Sequence, residues 1–147
     1  MKIAILGFDR EGRATYDYFA ALGEHELTIC DQNPDVQVPD GTAAVLGGAY
    51  LDNLDRCDLI VRTAGLPPRL IFEKNPNLSP DKVTTHINEF FKVAPTHNII
   101  GVTGTKGKGT TSTILAKLLE ADGRDVHLGG NIGVPPLTFL NVLSKRS

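Results

Sequence analysis

The sequence predicts a protein of the α/β class, in which a domain built on a parallel sheet is followed by the beginning of a second α/β unit. Two observations favour this class. Short apolar segments alternate with amphipathic segments along the first half of the chain, and strands that alternate with helices form parallel sheets. Hydrophobic residues make up 41% and charged residues 22% of the 147 residues, a balance that can bury a core.

The first domain is expected to be Rossmann-like, because it begins with a strand, a glycine turn and a helix. Lys2 to Leu6 is an apolar run that ends at Gly7, and the next apolar positions have helical spacing up to Gly23. The predicted elements are strands at 2–6, 26–30, 58–63 and 83–85 and helices at 13–22 and 88–93. Pro95 indicates a boundary, so the first domain spans residues 1–94.

The second unit, residues 95–147, is expected to contain a new strand, a glycine-rich loop and a helix. The strand is predicted at 98–103, the helix at 110–121 and a further strand at 125–128. The chain ends at Ser147, short of the length that a nucleotide-binding sheet needs to close its core. This unit is therefore expected to be incomplete.

Charge and hydropathy disfavour two classes of partner. The net charge of −2 offers no polybasic surface for nucleic acid, and no segment approaches the roughly 18 consecutive apolar residues of a membrane span. The N-terminus leads directly into a strand without the apolar stretch of a secretory signal, which predicts a cytoplasmic location. The four histidines are scattered along the chain and are assigned no metal.

The glycine-rich loop, residues 101–111, has the composition of a triphosphate-binding loop. Its small residues allow backbone N–H groups to point at phosphates, and the start of the following helix adds positive potential. Lys108 stands where a lysine would meet the β- and γ-phosphates and is the candidate catalytic residue. The candidate ATP-binding residues are Gly104, Thr105, Lys106, Gly107, Lys108, Gly109, Thr110 and Thr111.

The loop departs at two positions from the general pattern G-x-x-x-x-G-K-[ST]. Val102 takes the place of the first glycine, and Gly109 follows the lysine where a hydroxyl should stand. Because glycine has no side chain to bind Mg²⁺, the ligand is expected to be the hydroxyl of Thr110 or Thr111, or a water. A tight connection without a ligand is the alternative interpretation of this loop.

Two motifs together resemble the Mur ligase family. Residues 102–108, followed by Thr110 and Thr111, resemble the family's ATP loop, T-G-[TS]-x-G-K-[ST]-[ST]. Residues 129–135 resemble the G-G-N-I-G-x-P stretch of the family member that adds D-glutamate. These ligases begin with a Rossmann-like domain, so the resemblance covers essentially the whole chain. It implies that the second unit is the truncated beginning of a P-loop ATPase domain.

The resemblance implies an ATP- and Mg²⁺-dependent ligase of peptidoglycan precursor synthesis. Such an enzyme converts a substrate carboxylate to an acyl phosphate, and an amino group then displaces phosphate to form an amide. The implied substrates are the small molecules UDP-N-acetylmuramoyl-L-alanine (UDP-MurNAc-L-Ala) and D-glutamate. Because the family's other metal ligands and its amino-acid site lie in later parts of the enzyme, the chain alone is expected to be inactive.

The glycine turn of the first domain departs from a dinucleotide-binding fingerprint. Residues 7–12 lie where G-x-G-x-x-G would approach a pyrophosphate, but Asp9 replaces the middle glycine and its carboxylate disfavours ordinary NAD binding. The resemblance implies instead a site for the UDP part of the substrate. Its candidate residues are Gly7, Arg10, Glu11, Gly12, Asp31, Gln32, Thr63, Gly65 and Asn131.

Two other functions stay open at this point. One is a related ligase that acts on a different carboxylate, such as another muramyl-peptide ligase or a folate-type polyglutamate ligase. The other is a non-catalytic module that binds nucleotides or UDP-sugars, which the departures at Asp9 and Gly109 favour. Single site residues also have structural interpretations, because Asp31 could cap a turn and Arg10 and Glu11 could be surface charges.

Overall fold

The computed structural model describes residues 1–130, 133–145 and 147, which form two compact units, Met1–Glu89 and Phe90–Ser147. The described strands are β1 (Lys2–Leu6), β2 (Glu26–Asp31), β3 (Ala43–Leu46), β4 (Leu59–Arg62) and β5 (Val83–Thr85). The described α-helices are α1 (Arg10–Leu22), α2 (Pro68–Lys74), α3 (His86–Val93) and α4 (Lys108–Ala121). In this part of the chain, no helix is long and apolar enough to cross a membrane.

The strands of the first unit form one parallel sheet in the order β3-β2-β1-β4-β5. Ile3 in the central strand lies opposite Leu27 of β2 and Leu59 of β4. The chain runs outward from β1 to β3 and then returns to the other side of β1 at β4. This order is that of a Rossmann-like sheet, so the predicted α/β fold class is confirmed.

The central strand β1 is apolar and buried from Ile3 to Leu6 because both of its faces are covered. Ile3 and Ile5 pack on one face with Phe19 of α1. Ala4 and Leu6 belong to the core on the other face, which also contains Cys30, Leu51, Leu54, Ile60, Leu66, Ile71 and Leu78. Side chains alternate between the two faces of a strand, so one short segment anchors both cores.

The first unit contains two elements that the sequence did not predict, β3 and α2. β3 is a four-residue edge strand whose side chains are exposed or half-buried, so it lacks the apolar run that marks β1. α2 lies in a segment rich in proline and asparagine, residues 67–80, for which no element was predicted. Its Pro68 stands at the first helical position, where a missing N–H removes no helical hydrogen bond.

The predicted strands at 98–103 and 125–128 are wrong, because neither segment has strand structure. Ile99 and Ile100 are exposed there, at 41% and 61%. A strand requires a hydrogen-bonded neighbour as well as apolar residues, and β pairing within the described part of the second unit is limited to the bridge between Gly129 and Val134. The predicted helix is present and begins at Lys108, two residues earlier than expected.

Candidate functional site

The candidate site of the first unit lies at the edge of the sheet where the parallel strands end. Two backbone hydrogen bonds fasten the loops that leave this edge. The Gly7 N–H donates to the Cys30 oxygen at 2.8 Å, and the Thr63 N–H donates to the Leu6 oxygen at 2.9 Å. The loops after β1 and β4 therefore begin side by side, which is where open α/β sheets bind ligands.

Gly7 and Gly12 bring the first turn of α1 against the end of β1. Gly7 has a φ of +88°, and a Cβ at this position would lie 2.7 Å from Thr63 Cγ2. A Cβ at Gly12 would lie 1.9 Å from the Gly7 carbonyl oxygen. No larger residue fits at Gly12 without moving the helix, so this glycine provides the close helix–strand packing of the fingerprint.

Asp31, at the end of β2, holds the loop after β1 through its carboxylate. Its Oδ2 accepts the Phe8 N–H at 2.6 Å, and its Oδ1 accepts the Asn33 N–H at 2.8 Å. The second bond forms the turn that the sequence allowed as an alternative role. Each carboxylate oxygen has a second lone pair, so hydrogen bonding to a ligand is compatible with both contacts.

Phe8, within the glycine turn, has a buried side chain that packs against α1. Its ring is 2% exposed and lies edge-on to Tyr16, with 5.8 Å between the ring centroids. The Arg13 guanidinium lies 4.6 Å from the Phe8 centroid and donates to the Gln37 carbonyl at 3.3 Å. These contacts tie the turn to α1 and to the segment after β2.

Five of the predicted site residues gather at this edge of the sheet: Gly7, Glu11, Gly12, Asp31 and Thr63. Arg10 is exposed at the first position of α1, and Gln32 and Gly65 are exposed in the adjoining loops. Asn131 lies outside the described residues. The edge thus combines glycine backbone, two carboxylates and one hydroxyl residue.

Arg62, the last residue of β4, was not predicted as a site residue. Its Nη1 donates to the Thr63 carbonyl at 3.2 Å and to the Leu66 carbonyl at 3.0 Å. The guanidinium therefore shapes the turn that carries Thr63 and Gly65. It lines a pocket too tight to hold a water molecule, whose polar residues include Glu11, Thr15, Thr63 and His86.

His86 is a second residue at this edge that the sequence analysis did not single out. It follows β5 directly, its side chain is 2% exposed, and its Nδ1 lies 2.8 Å from Thr15 Oγ1. Burial lowers the pKa of the imidazole to about 4. Its position after a short strand was the available signal, because that strand ends at the same edge as β1 and β4.

The glycine-rich loop of the second unit forms the turn into α4. Gly104 and Gly107 have φ values of +152° and +76°, which favour glycine. The Lys108 ammonium donates to the Gly104 carbonyl at 2.6 Å, and the Thr111 N–H donates to the Gly107 carbonyl at 2.9 Å. The lysine is thus folded over the loop that precedes it.

The composition and exposure of this loop fit a phosphate ligand. Gly107 caps α4 without a side-chain hydrogen bond, and residues 103–106 before it are exposed. The helix start and the lysine both favour an anion. For Mg²⁺, the exposed Thr110 in the first turn is an accessible oxygen, whereas no three His, Cys, Asp or Glu residues in 1–130, 133–145 and 147 are grouped to hold a metal ion.

Glycines 129 and 133 of the second motif are required by close packing. A Cβ at Gly129 would lie 2.5 Å from Phe139 Cε2, and a Cβ at Gly133 would lie 2.6 Å from the Leu128 carbonyl oxygen. The Gly130 N–H donates to the Val134 carbonyl at 3.2 Å. Close packing therefore explains why Gly129 and Gly133 are glycines.

The sheet order and the glycine turn after β1 define the first unit as a Rossmann-like domain of the α/β class. Three curated relatives, each named UDP-N-acetylmuramoylalanine–D-glutamate ligase, are similar to nearly the whole chain. The protein from Acetivibrio thermocellus is 32% identical over 93% of the chain and 31% of its own length. The protein from Oenococcus oeni is 30% identical over 91% of the chain and 29% of its own length. The protein from Geobacillus kaustophilus is 32% identical over 90% of the chain and 31% of its own length.

These comparisons confirm the resemblance to the Mur ligase family that the two motifs predict, and within that family to the ligases that add D-glutamate. No family model matches the chain. The chain spans about a third of the length of the curated relatives it matches, since it covers 29–31% of them.

Proposed function

We propose that the chain is part of an ATP-dependent ligase that adds D-glutamate to UDP-MurNAc-L-Ala in cytoplasmic peptidoglycan precursor synthesis. Similarity to D-glutamate ligases over 90–93% of the chain is the observation that carries this proposal. Residues 1–94 are the proposed domain for the UDP substrate. Residues 95–147 are the proposed start of the ATP-binding domain.

The UDP part of the substrate is proposed to bind at the carboxyl edge of the first unit's sheet. The residues proposed to contact it are Gly7, Arg10, Glu11, Gly12, Asp31, Gln32, Thr63, Gly65 and Asn131. The close packing of Gly7, Gly12 and Thr63 supports this location, because it sets the N-terminus of α1 beside the ends of β1 and β4. The exposed Arg10 adds positive charge beside the start of α1.

ATP is proposed to bind at residues 104–111, with Lys108 as the catalytic residue. When bound, ATP and Mg²⁺ supply the phosphoryl group and the cation that activate the substrate carboxylate. The Lys108 ammonium, now bonded to the Gly104 carbonyl, neutralises phosphate charge by moving a short way from it. Thr110 is the proposed Mg²⁺ ligand, because Gly109 has no side chain.

Titration calorimetry of the purified chain tests both proposed sites. UDP-MurNAc-L-Ala and Mg·ATP are expected to bind, and NAD is not. Lys108→Met is expected to weaken ATP binding roughly 10- to 100-fold, because a hydrogen-bonded charge is lost. Lys117→Met is the matched control, since Lys117 lies on the same helix and pairs with Glu120 at 2.9 Å. Binding of NAD alone would identify an ordinary dinucleotide-binding domain instead.

Amide formation is proposed to require residues beyond those present in the chain. Incubation of the purified chain with UDP-MurNAc-L-Ala, ATP and D-glutamate is therefore expected to release no phosphate and form no amide. The full-length parent protein is the positive control, and assays with other amino acids separate it from other muramyl-peptide and folate-type ligases. Product from the chain alone would contradict the proposed division of the site.

A non-catalytic module that binds UDP-sugars is the second candidate function, and the glycine at position 109 favours it. A phosphate loop without a hydroxyl after its lysine lacks the usual side-chain ligand of Mg²⁺. This candidate predicts tight binding of UDP-MurNAc-L-Ala together with ATP binding that does not respond to Mg²⁺. Mg²⁺-dependent ATP binding would exclude it.

A further inference from the structure

The buried imidazole of His86 connects the end of β5 to the first turn of α1. His86 Nδ1 lies 2.8 Å from Thr15 Oγ1, and Thr15 Oγ1 donates to the Glu11 carbonyl oxygen at 2.7 Å. The Thr15 hydroxyl has one hydrogen, and with that hydrogen on Glu11 the imidazole Nδ1 is the donor to Oγ1. Residues 71 positions apart in sequence are thus joined by one continuous chain of hydrogen bonds.

This chain of hydrogen bonds ends where the proposed UDP site begins. Glu11 and Gly12 form the first turn of α1, and Gly12 packs directly on the Gly7 carbonyl. His86, Thr15 and Gly12 line the same pocket as Arg62 and Thr63 of the neighbouring strand end. A shift of the first turn would move Gly12. It would therefore disturb the packing of Gly12 on Gly7, and Gly7 in turn lies against Thr63.

We propose that His86 is a positioning residue for the UDP site, acting through Thr15 to fix the first turn of α1 at the carboxyl edge of the sheet. This inference rests on the proposed function of that edge. The imidazole is too deeply buried to be a surface residue, at 2% exposure. Its pKa of about 4 keeps it neutral at physiological pH, so one ring nitrogen is a donor and the other is an acceptor.

Asn75 provides a structural comparison within the same unit. It is also buried. Its Oδ1 accepts the Leu54 N–H at 2.9 Å, and its Nδ2 donates to the Leu51 carbonyl at 2.8 Å and to the Ile71 carbonyl at 2.9 Å. None of these residues lines the pocket that contains His86. Asn75 therefore supports the fold by the same kind of hydrogen bonding but without contact to the proposed site.

The test measures the Kd of uridine 5′-diphosphate and the melting temperature for a set of variants of the full chain. His86→Ala is expected to weaken UDP binding roughly tenfold, because the first turn loses its link to β5. Asn75→Ala is expected to lower the melting temperature and leave the Kd within about twofold of wild type. His86→Asn places an amide N–H near the position of Nδ1 and is expected to restore most of the affinity.

Thr15→Val replaces only the hydroxyl, by a methyl group. This variant tests the positioning role of His86 if His86→Ala does not fold. The proposal requires Thr15→Val to weaken UDP binding as well. Wild-type affinity in folded His86→Ala or Thr15→Val would overturn the positioning role while leaving the proposed function intact. Equal loss of affinity in Asn75→Ala would also overturn it, since the effect would then follow stability alone. No UDP binding by the wild-type chain would overturn the proposed function and this inference together.

Discussion

The Phe8 amide donates to Asp31 Oδ2 at 2.6 Å, so the end of β2 holds the loop that leaves β1. The other carboxylate oxygen accepts the Asn33 N–H, which makes Asp31 the link between two loops at the same edge of the sheet. Removing such a link exposes two backbone amides that are otherwise satisfied by a charge.

Asp31→Ala is expected to lower the free energy of unfolding by about 2 kcal/mol, because two charge-assisted hydrogen bonds are lost. Urea denaturation measures this change. Asp40→Ala is the matched control, since Asp40 is an exposed aspartate in the segment between β2 and β3, and it should change stability by less than about 0.5 kcal/mol. Equal stability of the two variants would show that the carboxylate does not hold the loop.

Gly12→Ala is expected to destabilise the protein by more than about 3 kcal/mol, because its Cβ would stand 1.9 Å from the Gly7 carbonyl oxygen. Gly48→Ala tests the effect of a methyl group in open space, since a Cβ at this position would have no atom of a packed neighbour within 4 Å. Thermal unfolding compares the two variants. A Gly12→Ala protein as stable as Gly48→Ala would contradict the close packing of α1 on β1.

Gly109→Ser restores the hydroxyl that the phosphate loop lacks. Gly109→Ala is its control, because either residue replaces a glycine within α4 and should stabilise the helix by up to about 1 kcal/mol. Only the serine is expected to increase the Mg²⁺ dependence of ATP affinity, which calorimetry with and without Mg²⁺ measures. An identical response of both variants would mean that the hydroxyl at this position does not bind the metal.

Stability is expected to fall between about pH 6.5 and pH 4 because of His86. Burial lowers its pKa from 6.5 to about 4, so in this window the unfolded chain binds a proton that the folded chain does not. The contribution is fully present above pH 6.5 and is lost by pH 4, and it amounts to at most about 3 kcal/mol.

Urea denaturation at a series of pH values compares wild type with His86→Asn, which does not titrate. The variant should show a flatter dependence of unfolding free energy on pH in this window. Burial of His86 as a neutral imidazole would be disproved by parallel curves for the two proteins.

The central part of the fold could be predicted from the sequence because burial leaves a local pattern. β1 is apolar on both faces and was predicted with the bounds that the structure has, Lys2–Leu6. β3 was missed because an edge strand of four partly exposed residues has no such pattern. The strand predicted at 98–103 failed for the opposite reason, since apolar residues are present but pairing with a distant neighbour is not encoded locally.

The candidate site residues that could be predicted from the sequence are those that directly follow a strand. Gly7 and Thr63 adjoin the ends of two apolar runs, and topology brings such ends together. His86 and Thr15 were missed because their importance comes from a single contact between residues 71 positions apart. The available signal for His86 is not local, because it lies in the end of β5 at the same edge of the sheet as the ends of β1 and β4.

The Lys108 ammonium is held by the Gly104 carbonyl, and this restraint affects the entropy change when an anion binds to the loop. Ordering a mobile lysine side chain costs up to about 2 kcal/mol in lost rotamer freedom. Part of that cost is already met on folding, because the ammonium is placed 2.6 Å from the carbonyl oxygen. When an anion draws the ammonium away from this carbonyl, Lys108 exchanges one charge-assisted hydrogen bond for another. Its affinity therefore depends on the strength of the new bond more than on immobilising the side chain.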